Sequence, residues 1–289
     1  MTAAPPSPNL LQLVHSTVEL PTMPEVLVKL NEVMARPGVS VGQVADVVAA
    51  DPAVAANMLR IVNSAYYALQ TRVSSVSLAV SMMGFDTTKK VALKAAVFSA
   101  FAHRRDGAPR FDPTMFWRHA IYTGVAARAL AQASPVFSDM HPEDGYIAGL
   151  LHDIGKIILM DKAGDAYAAM LEAAAERGCP ESAAELEEFG FTHADVGSVL
   201  AIKWSLPEDL AIAIRSHHAP ARDPVHRSLS SLVHAADWLA WRAQVPSTLD
   251  TPQAPFDEDV YEHLGLSPQQ VEELTPQIAA DFAASEMPW

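Results

Sequence analysis

A histidine, an aspartate and a lysine interrupt the apolar stretch AGLLHDIGKIILM at residues 148–160. Taking an ionised carboxylate out of water is costly unless something compensates it, so Asp153 demands a basic side chain, a backbone cap or a metal ion. Four other places set His or Asp in apolar helical context: His119 in FWRHAIYTG, His193 in GFTHADVG, the pair His217 and His218 in IRSHHAP, and Asp237 in VHAADWLA. A mixed imidazole and carboxylate set holds Zn, Mn, Fe or Ni, and sequence does not choose among them. On a helix the adjacent His152 and Asp153 diverge by about 100°, which suits a pair lying between two ions, or between one ion and a substrate. Lys156 follows Asp153 by one turn, a position for a cation facing an anionic phosphate. A divalent ion so held would polarise a phosphoryl group and activate water, the chemistry of a metal-assisted phosphohydrolase.

Each residue also has a plainer reading. Asp153 could cap a helix beginning near Gly155, Asp237 could pair with Arg242 or Arg227, and any one histidine could simply pack in the core. His103, His141, His226, His234 and His263 are read that way. Taken together, the five places would each need a separate explanation.

The elements that must position these residues read as helices separated by Pro, Gly and Asp. Apolar spacing predicts helices over 25–35, 41–50, 53–67, 76–83 and 87–101, with Ser40, Ser75 and Asp86 as caps and Pro52 at the first turn after Asp51. Gly84 is expected to end the fourth of these. The polar stretch RRDGAPRFDP at 104–113 is a candidate boundary. Longer helices are predicted over 114–133, 143–151, 156–177, 181–188, 193–203, 207–217 and 226–243, with two short ones at 257–263 and 268–283. No alternating run bounded by hairpin turns is present, so the expected class is all-α.

The chain has 289 residues, with 34 acidic against 20 basic side chains and a formal charge of −14. Phosphate backbones are neutralised by clustered Lys and Arg, and the one dense cluster is His103-Arg104-Arg105. Nucleic acid and anionic membrane surfaces are therefore disfavoured partners. The helix pair at 41–62 faintly resembles a helix-turn-helix, but Asn57, Arg60 and Asn63 amid alanines are a poor base-reading set. The single cysteine, Cys179, allows no internal disulfide and is compatible with a reducing compartment. With no signal-like leader and no apolar run of about 18 residues, the expectation is cytoplasmic.

GLLHDIGK resembles the HD superfamily of metal-dependent phosphohydrolases, and the order His119, His152-Asp153, Asp237 follows its H…HD…D pattern. LPTMPEVLVKL, DPAVAANMLRIVNSAYY, VSSVSLAVSMMG, FWRHA, GFTHADVGSVLAIKWSLPEDLAIAIRSHH and VHAADWLA resemble the HDOD family, the HD-related output domains of bacterial signalling proteins, over roughly residues 15–243. The resemblance implies a two-lobed helical bundle: a flexible start at 1–14, an N-terminal lobe at 15–105, an HD-like lobe at 110–245 and a tail with short helices at 246–289. It implies a stand-alone regulatory protein in signal transduction that binds a signalling partner protein or a small nucleotide, of unspecified oligomeric state. The alternative is an active phosphohydrolase or phosphodiesterase. On either reading one or two divalent ions (Fe, Mn, Zn or Ni) would sit among His119, His152, Asp153 and Asp237. His193 with His217 or His218 would complete a second position, Asp153 would bridge and Lys156 would face the anion. The related HD-GYP phosphodiesterases share the His193 and His217-His218 positions. They differ in two respects: APARDPVH follows the histidine pair without a GYP-like segment, and Met115 stands where trinuclear members place a carboxylate. Methionine is a poor ligand for a hard cation, which argues against a third ion.

Overall fold

The structure is a computed structural model that describes residues 25–63, 73–102, 112–140, 142–223, 225, 227–248 and 252–285. These fall in two compact units, one within Thr22–Arg105 and the other within Asp106–Trp289. The described residues are helical, with no strand among them.

The first unit contains α1 (Glu25–Met34), α2 (Val41–Ala49), α3 (Pro52–Val62) and α4 (Val76–Ala102). Val26, Leu27 and Leu30 of α1 and Val44, Ala45 and Val48 of α2 are buried at helical spacing, and α1, α2 and α3 all pack on α4. The Ser40 side chain accepts from Gln43 N–H while the Gln43 side chain returns the bond, closing a capping box. Asp51 caps α3 by accepting from Val54 N–H at 3.0 Å. Two details depart from expectation. Gly84 (φ 74°) kinks α4 instead of ending it, so the predicted helices at 76–83 and 87–101 run on as one. Asp86 pairs with Lys90 at 2.7 Å one turn on. Asn63 accepts from Val73 N–H and donates to Val73 O, both at 2.7 Å, so its amide is bonded to backbone and does not face outward as a base reader. The side chains of Asn57 and Arg60, His103–Arg105, and residues 64–67 of the predicted third helix lie outside the described residues.

The second unit contains α5 (Pro113–Ala133), α6 (Pro142–Leu151), α7 (Ile154–Arg177), α8 (Glu181–Phe189), α9 (His193–Lys203), α10 (Glu208–Ser216), α11 (Arg227–Arg242), α12 (Asp259–Leu264) and α13 (Pro268–Ser285). Short 3-10 turns lie at Pro135–Phe137 and Pro220–Arg222. Asp112 opens α5 by accepting from Thr114 N–H at 2.8 Å, with Pro113 in the first turn. α5 is the central element, packing against α6, α11 and α13. The α5–α6 approach depends on Gly149, where a Cβ would fall 2.6 Å from Thr123 O. The α7–α9 approach depends on Gly155, where a Cβ would collide with His193 O. α7 begins at Ile154, two residues before the predicted start, and kinks at Gly164 (φ 41°). Residues after 245 pack on this unit: Ser134 Oγ donates to Leu264 O at 2.6 Å, Arg242 pairs with Glu272 at 2.7 Å, and Val260 and Ile278 are buried. No helix among the described residues is long and apolar enough to cross a membrane.

Candidate metal centre

His119 comes from the middle of α5, His152 and Asp153 from the turn between α6 and α7, and Lys156 from the first turn of α7. His193 opens α9, His217 and His218 follow α10, and Asp237 lies in α11. Gly149 and Gly155 let the helices that carry these residues approach within backbone contact, and the side chains then converge. All eight residues lie in the second unit.

Four imidazoles commit Nδ1 outside the cluster and turn Nε2 inward. Nδ1 of His119 pairs with Val245 O at 2.7 Å, that of His152 with Gly149 O at 2.6 Å, and that of His217 with Ile214 O at 2.7 Å. Nδ1 of His193 pairs with Glu185 Oε2 at 2.7 Å. A carbonyl or carboxylate can only accept, so each Nδ1 carries the proton and each neutral ring leaves a bare lone pair on Nε2. Metal-binding histidines are held in this way, by an outer acceptor that fixes the tautomer.

The inward lone pairs surround Asp153. Its Oδ2 lies 3.4 Å from His152 Nε2 and 3.7 Å from His119 Nε2, and its Oδ1 lies 3.1 Å from His193 Nε2 and 3.8 Å from His217 Nε2. Asp237 Oδ1 adds a carboxylate on the first side, 3.1 Å from His119 Nε2. His218 Nε2 joins the second side, 2.9 Å from His193 Nε2. One carboxylate thus offers a different oxygen to each of two ligand groups, the arrangement of a bridge.

Asp153 Oδ1 and His217 Nε2 are buried without a hydrogen bond, and Asp153 Oδ2 is matched by the Lys156 ammonium at 2.7 Å. Orphaned buried acceptors of this kind are costly unless an ion satisfies them. Donor atoms of Asp153, His193, His217 and His218 fall within 4.8 Å of one another, as do those of His119, His152 and Asp153. The residues present therefore fit a divalent ion on either side of Asp153. Asp153 is at the N-cap of α7, but its side chain makes no capping bond. Arg242 pairs with Glu272, and Arg227 with Asp257 and Asp259, so neither basic residue serves Asp237.

Without a cation the cluster balances its charge with protons. Burial alone would raise the Asp153 carboxyl, but His152, Lys156 and His193 hold it well below the usual range. Burial would likewise raise Asp237, yet the His119 hydrogen bond and His152 bring it far down. Burial depresses His193, but Glu185 and Asp153 outweigh burial and the Lys156 charge, lifting the imidazole to about 10. His152 is raised by Asp153 and Asp237 against burial. Burial and the charges of His152 and His193 push His217 down to about 3. The opposite shifts of His193 and His217 follow because a buried imidazolium disfavours a second positive charge beside it.

Lys156 does not stand free toward an anion. Its Nζ lies 2.7 Å from Asp153 Oδ2 and 3.0 Å from Glu181 Oε2, and it donates to Ser247 Oγ at 2.7 Å. Beside it is a cavity of about 30 Å³, lined by His119, Lys156, Glu181, His218 and Asp237 and roofed by Pro246, Ser247, Thr248 and Gln253. Thr248 donates to Glu181 at 3.0 Å, and the Gln253 amide donates to Asp237 Oδ2. Residues 249–251 lie outside the described residues.

Several contributors carry no clear mark in the sequence. Glu181 and Glu185 meet the Tyr167 hydroxyl at 2.8 and 2.6 Å, all three buried. Their one signal is register: spaced four apart, they share the face of α8 that also buries Ala184. Val245 acts through a backbone carbonyl, which has no side-chain signature. His234, read as a core residue, donates to His217 O at 2.7 Å and accepts from Asp257 N–H at 3.1 Å, so it fixes the turn that carries the histidine pair. His141 and His226 lie outside the described residues.

The HDOD domain profile matches residues 20–220. The chain belongs to the HDOD family. Among solved structures it is similar to an HDOD domain protein of unknown function from Geobacter sulfurreducens. That match has 24% identity and a TM-score of 0.73, covering 95% of this chain and 96% of that one. It is also similar to a candidate signal transduction protein of Marinobacter aquaeolei VT8, with 27% identity and a TM-score of 0.72, covering 94% of this chain and 59% of that one. A third likeness is to a candidate metal-dependent phosphohydrolase of Shewanella amazonensis SB2B, with 21% identity and a TM-score of 0.65, covering 94% and 96%. A curated protein of Treponema pallidum (strain Nichols), itself uncharacterised, is 28% identical over 200 residues, 69% of this chain. The HDOD chain spans 38% of that relative's length. Asp237 and the segment after Val245 lie beyond the stretch that the HDOD profile matches.

Proposed function

We propose that this HDOD protein is a regulatory module of bacterial signal transduction built around a divalent metal centre, which engages a phosphate-bearing nucleotide or a partner protein. The observation that carries the metal reading is the set of four Nδ1-braced histidines whose Nε2 atoms surround the buried carboxylate of Asp153. His119, His152 and Asp237 would hold an ion on one side of Asp153, and His193, His217 and His218 on the other. A divalent ion there supplies Lewis acidity toward a phosphoryl oxygen or a water. The chain's own residues orient the ligands, exclude bulk water and, through Lys156, hold positive charge beside Asp153 Oδ2. A regulatory role is favoured over turnover because Lys156 is already engaged three ways, by Asp153, Glu181 and Ser247.

A phosphohydrolase reading has one observation in its favour. His119, Lys156 and Asp237, a base, a cation and an acid, line the same cavity, so a displaced roof would present all three to an anion. Metal analysis of protein purified without chelator, followed by hydrolysis assays on phosphomonoesters and cyclic dinucleotides with added Mn²⁺, separates the two. Retained metal without turnover is the expected result. Turnover that Asp153→Ala abolishes would make the protein an enzyme, and failure to retain any ion would overturn the metal reading.

A further inference from the structure

The two sides of Asp153 are not equivalent. On the Oδ2 side, His119 and His152 are braced by the backbone carbonyls of Val245 and Gly149. On the Oδ1 side, His193 is braced by a carboxylate: Glu185 Oε2 lies 2.7 Å from its Nδ1 and also accepts its backbone N–H at 2.8 Å. Glu185 is fully buried, and its other oxygen is 2.6 Å from the Tyr167 hydroxyl, so the brace cannot swing away. An anionic acceptor behind an imidazole draws on the Nδ1 proton and makes Nε2 a stronger donor to a cation than a neutral carbonyl does.

A second observation points the same way. The Lys156 ammonium lies 2.7 Å from Asp153 Oδ2, nearer than either imidazole on that side. A fixed positive charge there repels an incoming dication and competes for the shared oxygen. Asp237 contributes its Oδ1 to that side, with its Oδ2 held by Gln253. Among the described residues no lysine or arginine pairs with Oδ1, and the Glu185 carboxylate lies behind His193.

We infer that Glu185 is a positioning residue that makes the Asp153 Oδ1, His193, His217 position the tighter of the two, so that it fills first. The inference rests on the reading of the cluster as a divalent metal centre. It adds an order of loading, and a residue on α8 that sets the order from outside the H…HD…D pattern.

The test is titration of metal-stripped full-length protein with Zn²⁺ against a chelating indicator, repeated with Co²⁺ for its visible spectrum. Wild-type protein should take up a first equivalent more tightly than a second. Glu185→Gln should weaken the first step by about 10–100-fold and leave the second nearly unchanged. It should also alter the spectrum of the first Co²⁺ equivalent, which a merely structural role would not do. His119→Gln should spare the first step, and His193→Gln should remove it. Should Glu185→Gln fail to fold, the two histidine variants decide alone. A first step lost in His119→Gln and kept in His193→Gln overturns the inference, as does a folded Glu185→Gln protein with wild-type affinity. Wild-type protein that binds neither ion would instead sink the metal reading beneath it.

Discussion

Replacing Lys156 would leave Asp153 and Glu181 without the ammonium that lies 2.7 and 3.0 Å from them. Breaking a buried charge pair from one side costs about 3–5 kcal/mol, so Lys156→Met should lower the urea midpoint of metal-free protein by that measure. A bound divalent ion would replace part of the missing charge, so added Zn²⁺ should raise the melting temperature of the variant more than that of wild type. A second prediction concerns pH. The His193 imidazole is lifted from its ordinary 6.5 to about 10. A raised pKa contributes stability that is complete below the unfolded value and lost as pH rises through the folded one. Metal-free protein should therefore lose stability between pH 6.5 and 10 in denaturant melts. Metal-loaded protein should lose less over that window, because a coordinating ring is already neutral. The seven candidate ligands were legible because charged and imidazole side chains stand out in apolar segments. Glu185 was not, since ESAAELEEFG reads as a solvated acidic face, and only its helical register sets it among buried neighbours.

At the scale of elements, Gly155 is where helix packing and site geometry meet. An alanine methyl there would strike His193 O, so α7 and α9 would have to part. Gly155→Ala should destabilise the protein by about 1–3 kcal/mol or more, the usual cost of overpacking, as read by chemical denaturation. It should also weaken metal binding, because the same shift draws Asp153 Oδ1 away from His193 Nε2. Some helix starts were readable from caps: Ser40 and Asp51 bond as N-cap residues do, whereas Asp86 lies inside a helix, and the caps at Asp112 and Thr192 were not read from the sequence. The kinks at Gly84 and Gly164 were not readable. A glycine with positive φ looks the same in sequence whether the chain leaves the helix or resumes it.

For the whole molecule, the all-helical architecture followed from the absence of any strand-like run, and the ordered motifs pointed to the family. Less visible was what the chain does after α11. Val245 O braces His119, Ser247 accepts from Lys156, Thr248 donates to Glu181 and Gln253 holds Asp237. Each contact is a polar bond of a kind that any loop might make, and pattern alone does not assign it a destination. Removing one of them, in Ser247→Ala, should lower stability by about 1.5–3 kcal/mol, the worth of a hydrogen bond to a charged group. It should tighten the binding of inorganic phosphate by roughly tenfold or more, since Lys156 would no longer have to give up that bond. Calorimetry on metal-loaded protein would measure it, and unchanged phosphate affinity would show that this bond does not restrain entry.

That roof makes the protein its own first occupant. A phosphorylated guest would compete with Ser247 for Lys156 and with Gln253 for Asp237, so affinity will be set by a competition between host and visitor. Hydrogen exchange over residues 252–254 would then rise when a phosphorylated compound binds, and the released stretch would itself announce that the centre is filled.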